Sequence, residues 1–441
     1  MRVQRFSQPS RVLPFVADAS LAVILLGMLL LALRLVGLAS WADPITIWYG
    51  MSVGWLALAI SFLRSTTPQR ASITKHAVIV VLASLMCSAL PYGLFTDDIL
   101  RYQWDGWLTL HGVSPYAYAP NDVDLQRLSF SNGSATLPQQ LPYADMLTIY
   151  PPGAQLLFAV ASLISGGDAV AWKLMLWLIS IVLGVTLWRM HDGQQRAWIL
   201  LSALSPIVLL HGFVDGHIDL AMALFMMMSI STRGSHRIML SGVLLGVAIS
   251  IKYLPIVALP MILAGLGRRD QGRLITAMLA ALLLIYVPFI GPNLLGSLGA
   301  FTATWQTNSA SYSVLASLVG DGPTRPILML LGLACSGLIV TRWRERPGVA
   351  LAMVLVTVAV LSPVVHPWYL IAPLALMPLA PLRSVIAWTF TICLYAVGYS
   401  TYKGSGVWLE HPAALAFQFV PVVVALIVDY QRGPLSLLHE D

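Results

Sequence analysis

The sequence has few charged residues. Only 10% of its 441 residues are Asp, Glu, Lys or Arg, whereas 58% are hydrophobic, and its mean hydropathy is +0.80. Because a charged side chain is costly in hydrocarbon, this composition excludes an ordinary water-soluble domain. Apolar runs of about 20 residues, long enough to cross a bilayer, recur along the chain. We therefore predict an all-α polytopic membrane protein, a single integral-membrane domain over 1–441 with about 12–14 crossings.

Cysteine is scarce too, and the common signatures of soluble enzymes are missing. Cys87, Cys335 and Cys393 lie in apolar runs without paired spacing, which predicts core residues and not a disulfide or metal set. The sequence has no Gly-rich phosphate-binding loop, zinc-ligand spacing or nucleophile elbow. Its net charge of +6 is spread over short loops, which fits orientation in a bilayer better than nucleic-acid binding.

The basic residues predict which loops face the cytoplasm. They cluster at 2–11, 64–75, 189–196, 233–237, 268–273 and 342–346. The positive-inside rule then places both termini of this cell-membrane protein in the cytoplasm, with the first apolar run as an uncleaved helix. The same rule leaves two large external loops, 96–150 and 291–322, of which we expect the first to be catalytic.

Two segments do not fit simple alternation. Between 150 and 189 the apolar length would allow two short crossings, but the charge rule allows one. We predict an external interfacial or re-entrant helix at 150–165 and a crossing at 169–189. The run 239–267 begins and ends beside basic clusters, so it must return to its starting side. Lys252 and Pro255 near its midpoint predict a broken helix whose apex approaches the outer face.

Ionisable and aromatic residues converge on the predicted outer face. Asp97 and Asp98 begin the first external loop, and other polar and aromatic residues from distant parts of the chain fall at the same level. These are Arg101, Asp105, Asp215, His217, Asp219, Lys252 and His366, with Trp104, Tyr150, Trp368 and Tyr369 among the aromatics. A buried ionisable group costs several kcal/mol unless it is paired, so the convergence indicates a site. Interfacial salt bridges and an aromatic belt would give the same pattern.

Several short motifs together resemble a known superfamily. They are the acidic pair at 97–98 and the segments 112–116 (GVSPY), 149–152 (IYPP), 216–219 (GHID), 252–255 (KYLP) and 362–369 (SPVVHPWY). In this order, from about 90 to 380, they resemble the GT-C superfamily of membrane glycosyltransferases. More narrowly, they are similar to the polyprenyl-phosphate-mannose-dependent mannosyltransferases of prokaryotes, including the actinobacterial enzymes that build phosphatidylinositol mannosides and lipomannan.

The resemblance implies a GT-C-type helical bundle and an inverting transfer of a hexose, with mannose expected, from a polyprenyl-phosphate donor. The acceptor would be a hydroxyl of a lipid-linked or glycan molecule on the extracytoplasmic face. By resemblance Asp97 or Asp98 is the general base, with a preference for Asp97 because it is closer to the membrane edge. The donor phosphate would bind Lys252, His366 and Arg101. No cofactor is certain; a divalent metal is possible, held by the acidic pair if by any residues.

Contacts with the substrates are expected from Asp105, Trp104, Tyr150, His217, Asp219, Trp368 and Tyr369. Each has a plainer interpretation as well. Lys252 could be a cation that reaches the membrane surface, His366 a helix-end histidine, and the pair His217 and Asp219 a helix cap. A transporter or flippase of lipid or sugar could also use these ionisable residues as a translocation path. The sequence shows no internal repeat of the kind that transporters usually have, so the enzyme is favoured.

Overall fold

The computed structural model describes residues 12–64, 70–91, 93–125, 140–191, 193–234, 237–291 and 293–435. Within these ranges the regular structure is helical, apart from an isolated parallel β-bridge between Thr307 and Val364. This confirms the predicted all-α fold class.

Among the described residues, the first part of the chain supplies seven helices. They are α1 (Val12–Leu35), α2 (Pro44–Arg64), α3 (Arg70–Ser88), α4 (Asp98–Leu110), α5 (Pro152–Ser165), α6 (Ala169–Met190) and α7 (Gly193–Ala203). The middle part follows with a π-helix at Ile207–Val214, α8 (Asp219–Gly234), α9 (Ile238–Ile251), a 3₁₀ helix at Leu254–Ala258, α10 (Leu259–Leu263), α11 (Arg268–Tyr286) and a 3₁₀ helix at Val287–Phe289.

The last part of the chain begins with the second predicted external loop. This part comprises α12 (Leu298–Thr304), α13 (Ala310–Val319), α14 (Asp321–Arg342), α15 (Pro347–Val360), a 3₁₀ helix at Pro367–Leu370, α16 (Ile371–Ala375), α17 (Arg383–Thr391), a 3₁₀ helix at Ile392–Leu394, α18 (Tyr395–Ser405) and α19 (Pro412–Arg432).

The helices confirm a polytopic membrane protein. In the described ranges seven are long and apolar enough to cross a membrane, and α7 with the π-helix, bent by 59°, would make an eighth. Shorter apolar helices of 10–17 residues, including α5, α9 and α15, make up the rest. The predicted total of about 12–14 crossings counts shorter helices such as α9 and α15, but not α5, which we predict to be interfacial or re-entrant. It stays a prediction, as does the sidedness of the loops.

The predicted break in the run 239–267 is present. Helix α9 ends at Ile251, and Lys252 adopts an extended conformation with φ −153° and ψ 143°. Pro255 then lies in the first turn of the following 3₁₀ helix, where proline's missing N–H leaves no hydrogen bond unmade. Because the chain changes direction at Lys252, this side chain projects from a helix end and not from the middle of a span.

Close packing of α4 on α5 fixes the position of the acidic pair. A Cβ atom on Gly106 would lie 2.4 Å from the carbonyl oxygen of Phe158, so only glycine allows the two helices to approach this far. Tyr102, one turn earlier on α4, stacks on Phe158 with ring centroids 4.5 Å apart. These contacts hold the N-terminal end of α4, where Asp98 lies, against the rest of the bundle.

Candidate active site

The acidic pair lies at the start of α4, beside a cleft of about 120 Å³. Asp97 occupies the N-cap position and is exposed, whereas Asp98 is the first residue of the helix. Both side chains line the cleft, together with Arg101 and Tyr150. The unpaired N–H groups at a helix N-terminus favour negative charge, so a carboxylate is well placed here.

Asp98 is the more enclosed of the two carboxylates. Its Oδ2 lies 3.7 Å from Nδ1 of His217, and its side chain keeps 37% exposure to the cleft. Loss of hydration raises the pKa of Asp98 to about 6, against the opposing pull of the Lys252 ammonium. The carboxyl is therefore mostly ionised at pH 7 but basic enough to accept a proton, as a general base requires. These contacts favour Asp98 over Asp97 for that role.

Two histidines enclose Trp368 in a stack beside Asp98. The ring of His217 lies 3.8 Å from that of Trp368, and the ring of His366 lies 4.4 Å from the same indole on a nearly parallel plane. Burial lowers the pKa of His366 to about 3 and that of His217 well below its usual value. Both imidazoles are thus neutral at pH 7, so His366 can offer a phosphate a hydrogen bond but not a positive charge.

Lys252 and Asp219 form an ion pair in the same region. Nζ of Lys252 donates to both carboxylate oxygens of Asp219, at 2.7 and 2.8 Å, and lies 4.9 Å from the ring centre of Tyr369. The Asp219 side chain is almost fully buried, whereas that of Lys252 keeps 24% exposure. An ammonium group has three N–H donors, so Lys252 retains one for another acceptor.

Arg101 and Asp105 are engaged with each other. Nε of Arg101 donates to Oδ1 of Asp105 at 2.9 Å, and Nη1 donates to the carbonyl of Met146 at 3.0 Å. Asp105 is completely buried and also accepts from Gln155 at 3.1 Å. Arg101 therefore lines the cleft while it holds the segment around Met146 against α4.

Six of the seven expected substrate contacts lie outside the cleft lining: Trp104, Asp105, His217, Asp219, Trp368 and Tyr369. Asp105 and Trp104 are both fully buried, and Trp104 packs with Trp107 and Leu108 in a small core of its own. Their contacts support α4. Tyr150, by contrast, does line the cleft, and its ring packs edge-on against Tyr102 at 5.1 Å.

The loop 291–322, which we predict to be external, is tied to the segment that carries His366. Thr307 bridges Val364, accepting from the N–H of Val365 at 2.9 Å, and the Asn308 side chain donates to the Val365 carbonyl at 3.3 Å. Nδ1 of His366 lies 3.1 Å from the Tyr395 hydroxyl on α18. The imidazole is thereby oriented from two sides.

Comparison with known proteins gives the class of enzyme. A model of Glycosyltransferase family 87 matches residues 148–367. The chain is 26% identical over 433 residues to Alpha-(1->6)-mannopyranosyltransferase A of Mycobacterium tuberculosis, an alignment covering 86% of this chain and 80% of that protein. It is 25% identical over 423 residues to Alpha-(1->6)-mannopyranosyltransferase B of Corynebacterium glutamicum, covering 80% and 68%. The chain is a membrane glycosyltransferase.

The matched segment contains much of the predicted site of this glycosyltransferase. Tyr150, His217, Asp219, Lys252 and His366 all fall within residues 148–367. Asp97 and Asp98 precede it; Asp98 joins the site through its contact with His217, and Asp97 lines the same cleft. A glycosyltransferase must bind a sugar donor and an acceptor, so the enzyme interpretation replaces that of a transporter or flippase.

Sequence reasoning overlooked one buried cation of the glycosyltransferase. Lys173 is completely buried in α6, and its Nζ donates to the carbonyls of Leu90 and Val214. It thereby joins the segment before Asp97 to the turn before His217. The signal was a single lysine in the apolar run 169–189, where an ionisable group is costly and needs a partner.

Asp215 has a related positioning role. Its Oδ1 accepts from the N–H groups of Leu94 and Phe95, at 2.6 and 3.2 Å, and its Oδ2 lies 2.9 Å from Nδ1 of His211. The carboxylate is completely buried. It belongs to the predicted polar convergence, but its contacts fix the backbone that leads into Asp97.

Few side chains near Asp97 and Asp98 could bind a divalent metal. Among the residues that the structure describes, no three His, Cys, Asp or Glu side chains are grouped to hold an ion. Asp97 and Asp98 are neighbours in sequence, but the nearest further carboxylate, Asp219, is paired with Lys252. The donor set does not fit a protein-held metal, and we derive no step through one.

Proposed function

We propose that this glycosyltransferase is an inverting mannosyltransferase. It takes mannose from a polyprenyl-phosphate donor and transfers it to a hydroxyl of a lipid-linked or glycan acceptor on the extracytoplasmic side of the cell membrane. The observation that carries the proposal is Asp98, a partly exposed carboxylate of raised pKa within a cleft. Mannose is supported by the printed names of the two relatives, both mannopyranosyltransferases.

Asp98 supplies the base that the transfer needs. An acceptor alcohol is a weak nucleophile, so a carboxylate must take its proton as its oxygen bonds to the anomeric carbon. The bond from that carbon to the phosphate oxygen breaks on the opposite face, and its electron pair leaves with the phosphate. The proton ends on Asp98, and the configuration at the anomeric carbon is inverted.

Lys252 and His366 support the departing phosphate. The leaving group gains negative charge, which fixed donors near the site stabilise. Lys252 has one N–H left beyond its two bonds to Asp219. His366 is neutral, and its Nδ1 lies 3.1 Å from the Tyr395 hydroxyl; when Nδ1 accepts from that hydroxyl, Nε2 carries the proton and donates to the phosphate. Lys252 thus offers the phosphate a charged hydrogen bond, and His366 offers it a neutral one. Arg101 is a third candidate, from the cleft side.

An apolar cavity supports a lipid-linked substrate. It measures about 290 Å³ and is walled mainly by hydrocarbon side chains of α3, α6, α7, the π-helix, α8 and α16. Val80, Leu200, Phe213 and Leu220 are among them, and Leu220 directly follows Asp219. Such walls fit an isoprenoid chain whose phosphate lies toward Lys252.

The experiment is a transfer assay with purified protein and matched donors. Mannose would be offered on a polyprenyl monophosphate and on a nucleoside diphosphate, and other hexoses on the polyprenyl monophosphate. We expect transfer from the polyprenyl-phosphate mannose alone. Transfer from the nucleotide sugar without use of the lipid donor would overturn the donor assignment, and a preference for another hexose would overturn mannose.

A further inference from the structure

Three aromatic side chains form one wall of the cleft that contains Asp97 and Asp98. Tyr143 and Trp305 pack edge-on with centroids 5.0 Å apart, and Phe301 lies 5.4 Å from Trp305. All three line the same cleft as the acidic pair. The cleft thus has carboxylates on one side and aromatic rings on another.

The wall is assembled from both external loops. Tyr143 comes from the first loop, and Phe301 and Trp305 come from α12 and its end in the second. The loops meet at Gly296, whose φ is +52° and where a Cβ would lie 1.7 Å from the carbonyl oxygen of Thr148. Ser297 donates its N–H to that same carbonyl at 3.2 Å. Only glycine permits this junction, which places the two parts of the wall together.

The wall residues are held in place although they remain accessible. Arg325 donates to the carbonyls of Trp305 and Thr302, at 2.7 and 2.9 Å, and so fixes the end of α12. Tyr143 has a φ of +57°, which is rare for a bulky residue and recurs at functional sites. Its side chain is still 50% exposed. Ordered backbone with accessible rings is the arrangement expected of a binding surface and not of a core.

We propose that Tyr143, Phe301 and Trp305 form a subsite for a sugar ring of the acceptor, which makes the acceptor a carbohydrate. This inference rests on the proposed function. The C–H faces of a pyranose pack on aromatic rings, while its hydroxyls hydrogen-bond to carboxylates, and the cleft offers both surfaces. At about 120 Å³ the cleft is smaller than pockets that enclose whole ligands. It therefore fits one terminal ring of a longer glycan, with a hydroxyl directed at Asp98.

The test compares acceptors and wall variants. With a mannose oligosaccharide as acceptor, Trp305→Ala and Tyr143→Ala should each raise the acceptor KM about tenfold. The donor KM should stay within about twofold, and Trp305→Phe should keep most of the affinity because it retains an aromatic face. With a sugarless alkyl alcohol as acceptor, neither alanine variant should change the acceptor KM. Trp41→Ala is the matched control, since Trp41 is 75% exposed and lies outside the cleft lining.

The outcomes separate this inference from the proposed function. Unchanged acceptor KM in both alanine variants, or an equal rise with the sugarless alcohol, would overturn the subsite while wild-type transfer stands. Failure of the wild-type protein to use any polyprenyl-phosphate sugar would overturn the proposed function instead. If Trp305→Ala lowers the thermal midpoint, Tyr143→Ala and Trp305→Phe decide the question.

Discussion

Two enclosed carboxylates in this protein have opposite surroundings. Asp429, near the end of α19, is completely buried and accepts from the backbone N–H groups of Arg383 and Ser384, the Arg383 guanidinium and the Ser384 hydroxyl, at 2.8–3.1 Å. Asp98 accepts a hydrogen bond from the Tyr150 side chain, has the His217 ring nitrogen at 3.7 Å and keeps 37% exposure. Desolvation without a full set of donors leaves Asp98 free to take a proton from a substrate.

The comparison teaches how to separate supporting acids from reacting ones. Asp105 and Asp215 resemble Asp429, because both are fully buried and bonded to fixed donors. All of these carboxylates would look alike in a sequence. Removing a carboxylate that accepts many hydrogen bonds from the protein should lower stability. Removing Asp98, which accepts few, should lower the transfer rate.

The largest effect is expected from Asp98→Asn. The amide cannot take the acceptor proton, so the turnover number should fall about 1,000-fold, the range for loss of a general base. The thermal midpoint in detergent should change little, since the side chain has few bonds to lose. Asp429→Asn, measured in parallel, should retain turnover. Similar turnover losses in the two variants would remove the distinction between the two carboxylates.

Asp429→Ala should show the reverse pattern. It removes the acceptor of four hydrogen bonds and leaves the Arg383 guanidinium without its carboxylate, with only the Gly433 carbonyl at 2.8 Å among the described residues, at a cost of about 3 kcal/mol in stability. We expect a lower thermal midpoint with a near-normal turnover number for the protein that stays folded. A loss of turnover at an unchanged midpoint would assign this acid to the chemistry.

Lys252→Met should act mainly on the donor. Loss of one charge-assisted hydrogen bond to the phosphate is worth about 2 kcal/mol, or a rise of about 30-fold in donor KM, with the acceptor KM little changed. Because the single variant leaves Asp219 buried and unpaired, Lys252→Met with Asp219→Asn should be measured beside it. Lys75→Met is the control, since Lys75 pairs with Asp18 on an exposed surface. Unchanged donor KM in both Lys252 variants would remove Lys252 from the phosphate site.

The smallest expected effect is on the pH profile. With a pKa of about 6, the Asp98 carboxyl is mostly protonated at pH 5 and mostly ionised at pH 7. The ionised form is the active base, so the transfer rate should rise about tenfold between these pH values and then level off. Asp98→Asn should lose this dependence in its residual rate. A wild-type rate that is flat from pH 5 to 7 would contradict the raised pKa.

The sequence predicted the fold class and the break at Lys252 because both depend on local patterns. Apolar length and charge specify membrane helices, and a lysine followed by Pro255 specifies a helix end. The ion pair of Arg101 and Asp105 was also accessible, since i and i+4 side chains meet on a helix.

The pairings across the site were not accessible from sequence. The stack of His217, Trp368 and His366 joins segments about 150 residues apart, and no local pattern specifies which rings meet. Similarly, Lys252 was expected to face a phosphate, but its first partner is Asp219. Such contacts depend on how the helices pack, and the aromatic wall likewise depends on one backbone junction at Gly296.

The most direct test is a structure of Asp98→Asn with a polyprenyl-phosphate mannose and an acceptor glycan bound. The inactive variant would trap both substrates in place. Our account predicts the reacting hydroxyl within hydrogen-bonding distance, about 3 Å, of the side chain at position 98, with the phosphate toward Lys252. A reacting hydroxyl held instead by Asp97 or Asp219, with position 98 directed away from it, would contradict the account.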